Sequence, residues 1–293
     1  MLRGLNTAAS GMFSLERKQE ALTNNLANAQ TAGYKKDDAV QRAFPNYLLG
    51  RINDFKENGA VGANAEIGQR AQLGEISNGV YTQELIPSFG QGTLVQTSSP
   101  LDVAIEDSNI PYQTINGRLV KPAAFFPVQM ADGTVGYTRN GKFDLDANGN
   151  LVTADGYRVL GANHQPIQIT ESIQKADLSI DTEGNIMAYA NDPTRTRSIG
   201  KIGLVVAQNP NDLVRRGENL YGSNTALPFV TDPGNGNPGV LLHQGFIEQS
   251  NVDTGQTMAD MMVTIRGYEA NQKVISAYDQ SLQQLYSVGK ING

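Results

Sequence analysis

Residues 2–33 read LRGLNTAASGMFSLERKQEALTNNLANAQTAG, and this stretch decides how the chain is organised. It has no proline, and Leu2, Leu5, Ala9, Met12, Leu15, Leu22, Leu26 and Ala29 recur three or four apart, with one seven-residue gap after Leu15. Apolar residues at that period predict an amphipathic helix. Its end is expected at Thr31-Ala32-Gly33, because glycine readily takes the left-handed conformation that closes a helix; Asn24, Asn25 and Asn28 crowd the last turns.

The other end of the chain mirrors this. Asp253-Thr254-Gly255-Gln256 offers an oxygen cap with Gln three positions on, and Met258, Met261, Met262, Ile265, Tyr268, Ile275, Tyr278, Leu282 and Leu285 follow at helical spacing. The stripe approaches a heptad, with Gln272 and Asp279 falling where apolar residues would continue it. Apolar stripes at both extreme termini favour helices that pack on each other and on partners over a helix packed on its own domain.

Between them glycine and proline punctuate short alternating runs. Leu101, Val103 and Ile105 alternate with Asp102, Ala104 and Glu106, and Ile202, Leu204 and Val206 repeat the pattern, which predicts strands with one buried face. Residues 143–152 (FDLDANGNLV) and 178–187 (LSIDTEGNIM) resemble each other, each setting a Gly-Asn turn between apolar runs. The expected fold class is α+β: a mainly antiparallel β central domain, with long amino- and carboxy-terminal α-helices packing together as a coiled-coil-like helical domain. The helical domain is expected to take residues 1–60 and 245–293, and the β-rich domain residues 61–244.

Composition narrows the chemistry. The 293 residues carry 23 Lys plus Arg against 29 Asp plus Glu, a net −6, with no Cys, no Trp and two His, His164 and His243. Thiolate catalysis, disulfides, Cys-based zinc sites and iron–sulfur ligation are excluded, and a multi-His metal centre would need both histidines plus carboxylates. The acidic balance, without a Lys/Arg-rich stretch interleaved with aromatics, argues against nucleic-acid binding. No apolar run approaches the roughly 18 residues of a spanning helix, and Glu16-Arg17-Lys18 breaks the amino-terminal segment, so neither a membrane span nor a cleaved secretion signal is expected.

Three motifs carry little chemistry on inspection. Asp144, Asp146, Asn148, Gly149 and Asp155 fit a calcium-loop pattern with Asp in place of the final bidentate Glu, but strands rather than helices flank them, which points to a hairpin turn. Residues 234–239 (GNGNPG) match G-x-G-x-x-G, yet Pro238 and the following Val-Leu-Leu deny the strand-then-helix context that a dinucleotide needs, so a plain turn is expected. No pair of carboxylates stands out as a glycosidase pair, and neither His has a neighbouring nucleophile elbow. No catalysis, cofactor, metal or small-molecule substrate is expected.

The segment 22–35 (LTNNLANAQTAGYK) closely resembles the amino-terminal signature of the bacterial flagellar rod and hook proteins, in which an Asn-rich helix ends in a Thr-x-Gly-aromatic-Lys turn: here Thr31, Gly33, Tyr34 and Lys35. Residues 245–253 (GFIEQSNVD), with Ser250, Asn251, Val252 and Asp253, followed by Met258, Met261, Arg266, Tyr268, Glu269, Asn271, Lys273, Ile275 and Asp279, resemble the carboxy-terminal signature of the same family. Residues 100–105 (PLDVAI), Tyr137-Thr-Arg139, Gly141, Phe143, 149–153 (GNLVT) and 156–161 (GYRVLG) resemble its rod-type β domain. One departure is that Glu106 to Ala124 inserts about a dozen residues before Phe125-Phe126, expected to form a surface excursion.

The resemblance implies a structural subunit of the flagellar basal-body rod, located in the basal body and polymerising into the helical shaft between motor and hook. The distal-rod type is favoured, with a proximal-rod or hook-like axial subunit as the alternative. The implied partners are further copies in a helical tube, other rod and hook axial proteins, and the flagellar type III export apparatus. Subunit packing is then assigned to Leu2, Leu5, Met12, Leu15, Leu22, Asn25, Leu26, Asn28, Met258, Met261, Met262, Ile265, Tyr268, Asn271, Ile275, Tyr278, Leu282 and Leu285. Buried amides such as Asn24, Asn25, Asn28 and Asn271 would fix register unless they merely cap helix ends or face solvent. Helices without their partners bury too little to offset ordering entropy, so the termini of an isolated chain are expected to be poorly ordered. The rival classes are a secreted β-rich binding module and an enzyme acting on cell-wall glycans. Residues 1–56 carry eight Lys and Arg against five Asp and Glu, a net +3, which leaves −9 on the rest and suggests an acidic outer surface.

Overall fold

The computed structural model describes residues 2–45, 47–51, 71–76, 79–169, 173–190, 192, 194–217, 219–230 and 239–291. The glycine-rich residues 234–238 and the expected domain boundary near residue 60 lie outside the described residues. The chain divides into two compact units, one of Met1–Thr23, Asp38–Ile86 and Gly255–Gly293, the other of Asn24–Asp37 and Pro87–Thr254.

The first unit is dominated by α1, Leu2–Ala27, and α2, Thr254–Ile291, which pack together and run antiparallel. A Cβ placed on Gly4 would strike the Tyr278 ring, one on Gly11 would come within 3.0 Å of Asn271 Nδ2, and one on Gly267 within 3.1 Å of Leu15 Cδ1. In each facing pair the residue numbers add to 282, so one register holds along the seam. Glycine costs a helix interior about 1 kcal/mol relative to alanine. Here that cost is offset because only glycine lets the partner side chain lie against the opposing backbone.

The more buried side of α2 is Thr257, Met261, Thr264, Tyr268, Asn271, Ile275 and Tyr278, a regular alternation of four- and three-residue steps. This register differs from the densest apolar stripe: Met258, Met262 and Ile265 are 51, 57 and 37% exposed, and Gln272 and Asp279 stand outside the seam rather than interrupting it. Thr257, Thr264 and Asn271 share this side with larger residues, and Gly4 and Gly11 make room on it for Tyr278 and Asn271. Two antiparallel strand pairs complete this unit, Asp37–Ala43 with Val80–Pro87 and Tyr47–Arg51 with Ala71–Ile76. The Ser14 hydroxyl lies 3.1 Å from that of Thr82, tying α1 to the first pair.

In the second unit the strand Ala123–Gln129 organises an eight-stranded antiparallel sheet. It pairs with Val205–Ala207, Val135–Thr138 and Arg158–Val159. Neighbouring side chains of a strand point to opposite faces, so Phe125 and Phe126 enter two different cores, both fully buried. Phe126 packs with Val128, Phe143, Leu151, Ile202 and Leu204; Phe125 packs with Tyr137, Val205, Ala207 and Tyr221. The run from Ile202 to Ala207 therefore departs from the one-faced strand expected of it, because alternate residues serve the two cores. Val103–Glu106 departs likewise, with Asp102 and Ala104 as buried as Val103 and Ile105.

The two look-alike segments are both hairpins. Phe143–Leu145 pairs with Leu151–Thr153, and Leu178–Ile180 with Asn185–Ala188. In the first turn Asp146 Oδ1 accepts from the Asn148 and Asn150 amides while Oδ2 accepts from the Asn150 side chain; Asp181 repeats this on Glu183 and Asn185. Gly149 and Gly184 hold φ of 77° and 87°. Asp146, Asn148 and Gly149 of the calcium-like pattern thus build a β-turn, with Asp144 on the strand before it and Asp155 in the turn after the next strand. The 106–124 excursion is a third hairpin, Gln113–Ile115 with Arg118–Val120.

Candidate functional site

α1 ends at Ala27, four residues before the expected stop, because the following residues are drawn into the second unit. Asn25 is buried and clamps Asp37, its Nδ2 donating to the Asp37 carbonyl at 2.9 Å and its Oδ1 accepting the Asp37 amide at 2.8 Å. The Tyr34 hydroxyl donates to the same Oδ1 at 3.2 Å. Asn28 caps the helix end, its Nδ2 donating to the Asn24 carbonyl, and accepts from Thr31 Oγ1. Asn24 is exposed. These amides serve the end of α1 and the turn that follows it.

The turn delivers Lys35 into the interior. Gly33, at φ 69°, presses on the backbone of Arg139 and Asn140, where a Cβ would come within 2.5 Å of the Asn140 nitrogen. Its amide donates to the Glu248 carbonyl at 2.8 Å. Beyond it lies a closed group of four buried charges. Lys35 Nζ bonds Glu248 Oε1 at 2.6 Å and the Gly90 carbonyl at 2.8 Å. Arg139 reaches Glu248 Oε2 through Nε at 3.1 Å and Asp107 Oδ2 through Nη1 at 2.9 Å, and Nη1 also donates to the Ala124 carbonyl. Two cations face two anions, so the group carries no net charge, and backbone amides of Gly92 and Ala124 occupy further carboxylate lone pairs.

Burial, seconded by the Arg139 guanidinium, pulls the Lys35 ammonium down to about 8 from 10.5 against the pull of Glu248. Arg139 goes the other way: desolvation opposes its charge, but Glu248 and Asp107 together hold it more firmly protonated than usual. Burial likewise raises the Tyr34 hydroxyl, under the Arg215 guanidinium 4.6 Å from its ring.

The carboxy-terminal signature closes the same knot. Asn251 Oδ1 accepts the Lys36 amide at 2.8 Å and its Nδ2 donates to the Ser88 carbonyl at 2.7 Å. Ser250 Oγ accepts the Val252 amide; Asp253 and Glu269 are exposed. Residues 31–36, 88–92 and 245–251 are thereby fastened together far apart in sequence. Glu248, Asp107, Arg215 and Asn219, which donates to the Ala32 carbonyl, were not singled out from sequence. One signal was available: an acidic residue on the short apolar strand Phe246–Glu248 calls for a buried cation.

The remaining sequence-assigned residues lie on the two helices. Leu2 opens α1; Leu5, Met12, Leu15, Leu22 and Leu26 are half-buried, whereas Ala8, Ser14 and Ala21 of the same helix are buried. On α2, Met261, Tyr268, Asn271, Ile275 and Tyr278 lie on the seam side, while Met258, Met262, Ile265, Leu282 and Leu285 are exposed. The 38-residue α2 outruns the 26-residue α1. By the seam register Leu2 stands opposite Gln280, so the last eleven residues, about 16 Å of helix, have no α1 beside them. That overhang exposes Leu282, Leu285, Tyr286 and Val288.

No described helix is long and apolar enough to cross a membrane. Three family models match: flagella basal body rod protein over residues 5–35, the flagellar hook protein FlgE/F/G D1 domain over 115–188, and the flagellar basal body rod FlgEFG protein C-terminal region over 243–288. The chain is 36% identical over 293 residues to the flagellar hook-basal body complex protein FlhO of Bacillus subtilis (strain 168), covering 99% of this chain and 100% of that one. It is 33% identical over 287 residues to the flagellar basal-body rod protein FlgG of Buchnera aphidicola subsp. Schizaphis graminum, covering 97% and 99%. To FlgG of Bacillus subtilis (strain 168) it is 32% identical over 295 residues, covering 98% and 99%. With relatives of this identity along its whole length, and family models at both ends and in the middle, the chain belongs to the flagellar basal-body rod and hook protein family.

Proposed function

We propose that the chain is a structural subunit of the flagellar basal-body rod, of the distal type, which polymerises into the shaft carrying torque from motor to hook. One observation supports this most directly. Of the seventeen exposed large apolar side chains among the described residues, thirteen belong to the helical unit, which buries only Ala8 and Ala21 from its apolar residues. Such a surface is the unfinished core of an assembly, completed when α1 and α2 of neighbouring copies and of other axial proteins pack against it. The role is mechanical rather than catalytic: the buried charges of Lys35, Arg139, Glu248 and Asp107 neutralise one another and fasten residues 31–36 and 245–251 into the β-rich unit. The packing role extends to the half-buried leucines of α1 and the apolar residues of α2 assigned from sequence.

Export through the flagellar type III apparatus fits a chain without cysteine whose interior forms only after delivery. Deletion of the gene tests the function. Basal bodies truncated before the hook, in a non-motile strain, are the expected result; complete rods and hooks would overturn it, and a finished rod lacking only its hook would point instead to the hook-like alternative.

A further inference from the structure

We propose that the hairpin Gln113–Val120 is an arm by which each copy of the chain seats on a second copy, in the cleft between Pro100 and Tyr189 of its β-rich unit. The proposal rests on the shaft function above and names a contact within it.

The arm stands apart from the sheets: among the described residues its two strands pair only with each other. Asn116 and Gly117, at φ 51° and 75°, make the tight turn at its tip. Directly opposed residues of an antiparallel pair share a face. Thr114 opposes Leu119, and Tyr112 lies two residues before Thr114, so all three fall on one face. Leu119 is 75% exposed and Tyr112 66%, the highest values for large apolar side chains in this unit. A two-stranded ribbon is marginal by itself, and its open edges and apolar face ask for a partner.

Charge identifies that partner. Arg118 and Lys121 are the only charged residues between Asp107 and Asp132, so the arm is purely cationic. The rest of the unit carries eleven Lys and Arg against eighteen Asp and Glu. Within it lies a cleft of about 420 Å³ whose lining includes Pro100, Asp177, Leu178, Ser179, Tyr189 and Asp192. Gln244 cross-links the walls, its Nε2 donating to the carbonyls of Pro100 and Leu178 at 2.7 and 2.9 Å. Leu119, Tyr112 and Lys121, two residues after Leu119, thus share one face of the arm with Arg118 on the other, and they meet a cleft in which Leu178 and Tyr189 stand among serines and two carboxylates.

The two features lie at opposite ends of one ladder. Val103–Glu106 pairs with Leu241–Gln244, with Gln244 beside Val103 at the cleft end and Leu241 beside Glu106 where the arm departs. A contact between two different patches of the chain is heterologous, and repeated it gives an open helical filament or a ring rather than a closed dimer.

Because the chain has no cysteine, the contact can be tested by cross-linking the full chain. Leu119→Cys with Ser179→Cys in one chain should yield, on oxidation of assembling protein, a reducible ladder of many multiples of the chain mass. Dimers alone, or dimers from Leu119→Cys by itself, would overturn the proposal in favour of arm-to-arm pairing. Arg118→Glu with Lys121→Glu should raise the concentration needed for assembly by about tenfold, through like charges set against one another, and Asp177→Lys should restore part of it. Wild-type fibres matched by equal fibres of the charge-reversed chain and no ladder would sink the arm contact alone. Failure of the wild-type chain to enter any axial assembly would sink the shaft function itself.

Discussion

In the β-rich unit Phe125 and Phe126, adjacent on one strand, each close a core, and charges with no apolar surroundings to spare are paired inside it. In the helical unit the buried apolar side chains among the described residues are two alanines, and its seam is made of glycine, threonine and asparagine set against tyrosine and leucine. The β-rich unit is finished within one chain; the helical unit holds its own helices together closely and leaves its bulk outside. Stability and assembly are therefore assigned to different residues.

Substitutions should separate the two. The largest loss is expected from Arg139→Ala, which strands Glu248 and Asp107 without a full complement of countercharge and should cost about 3–5 kcal/mol in urea denaturation. A cost under 1 kcal/mol would mean that the buried charges do not hold the β-rich unit together. The pH dependence of the same cluster gives a second test. Below pH 8 Lys35 is charged in both folded and unfolded chains; between about 8 and 10.5 the folded chain has released a proton that the unfolded chain still holds. Stability relative to Lys35→Met should therefore rise with pH across that window and level off above it. A difference that falls across it would reverse the assigned direction.

Gly11→Leu should act on the other unit. Its Cβ would meet Asn271 at 3.0 Å, and overpacking of this kind costs about 1–3 kcal/mol. Hydrogen exchange should quicken in α1 and α2 while the amides of Ala123–Gln129 keep their protection; equal loss in both would join what is here kept apart. In dilute unmodified chain the same measurement should find α2 beyond Gln280 exchanging fastest, and strong protection there would contradict the unfinished core. The smallest effect on stability, within about 0.5 kcal/mol, is expected from Leu285→Ser, since it touches only the overhang. Loss of assembly without loss of stability is its signature, read by sedimentation.

Much of this plan was legible in the residues. The helices, the hairpins at Gly149 and Gly184, and the turn at Gly33 all follow from local periodicity and backbone preference, which act over a few residues. The seam register was not, because hydrophobic periodicity weighs bulk, and Met258, Met262 and Ile265 outweigh Thr257 and Thr264 on that scale. What selects that side is Gly4 and Gly11, which admit Tyr278 and Asn271 from more than 240 residues away. The same distance hid the charged cluster: Lys35 could be picked out by its motif, but its partner Glu248 lies 213 residues away and Arg139 on a third segment. Strands with two buried faces were missed because alternation in Ile202–Val206 describes one core, while Val205 and Ala207 serve another.

The antiparallel seam has a practical consequence for anyone labelling the protein. With Leu2 opposite Gln280, the start of α1 lies at the same end of the helix pair as the overhang of α2. A purification tag or fluorescent protein before Leu2 or after Ile291 would therefore sit at one end or the other of the overhang that exposes Leu285 and Tyr286, and neither is a neutral choice. The Asp132–Gly133 turn is the better insertion point: it is exposed, a side chain at Gly133 would meet nothing within 4 Å, and it lies in the unit whose core is already closed.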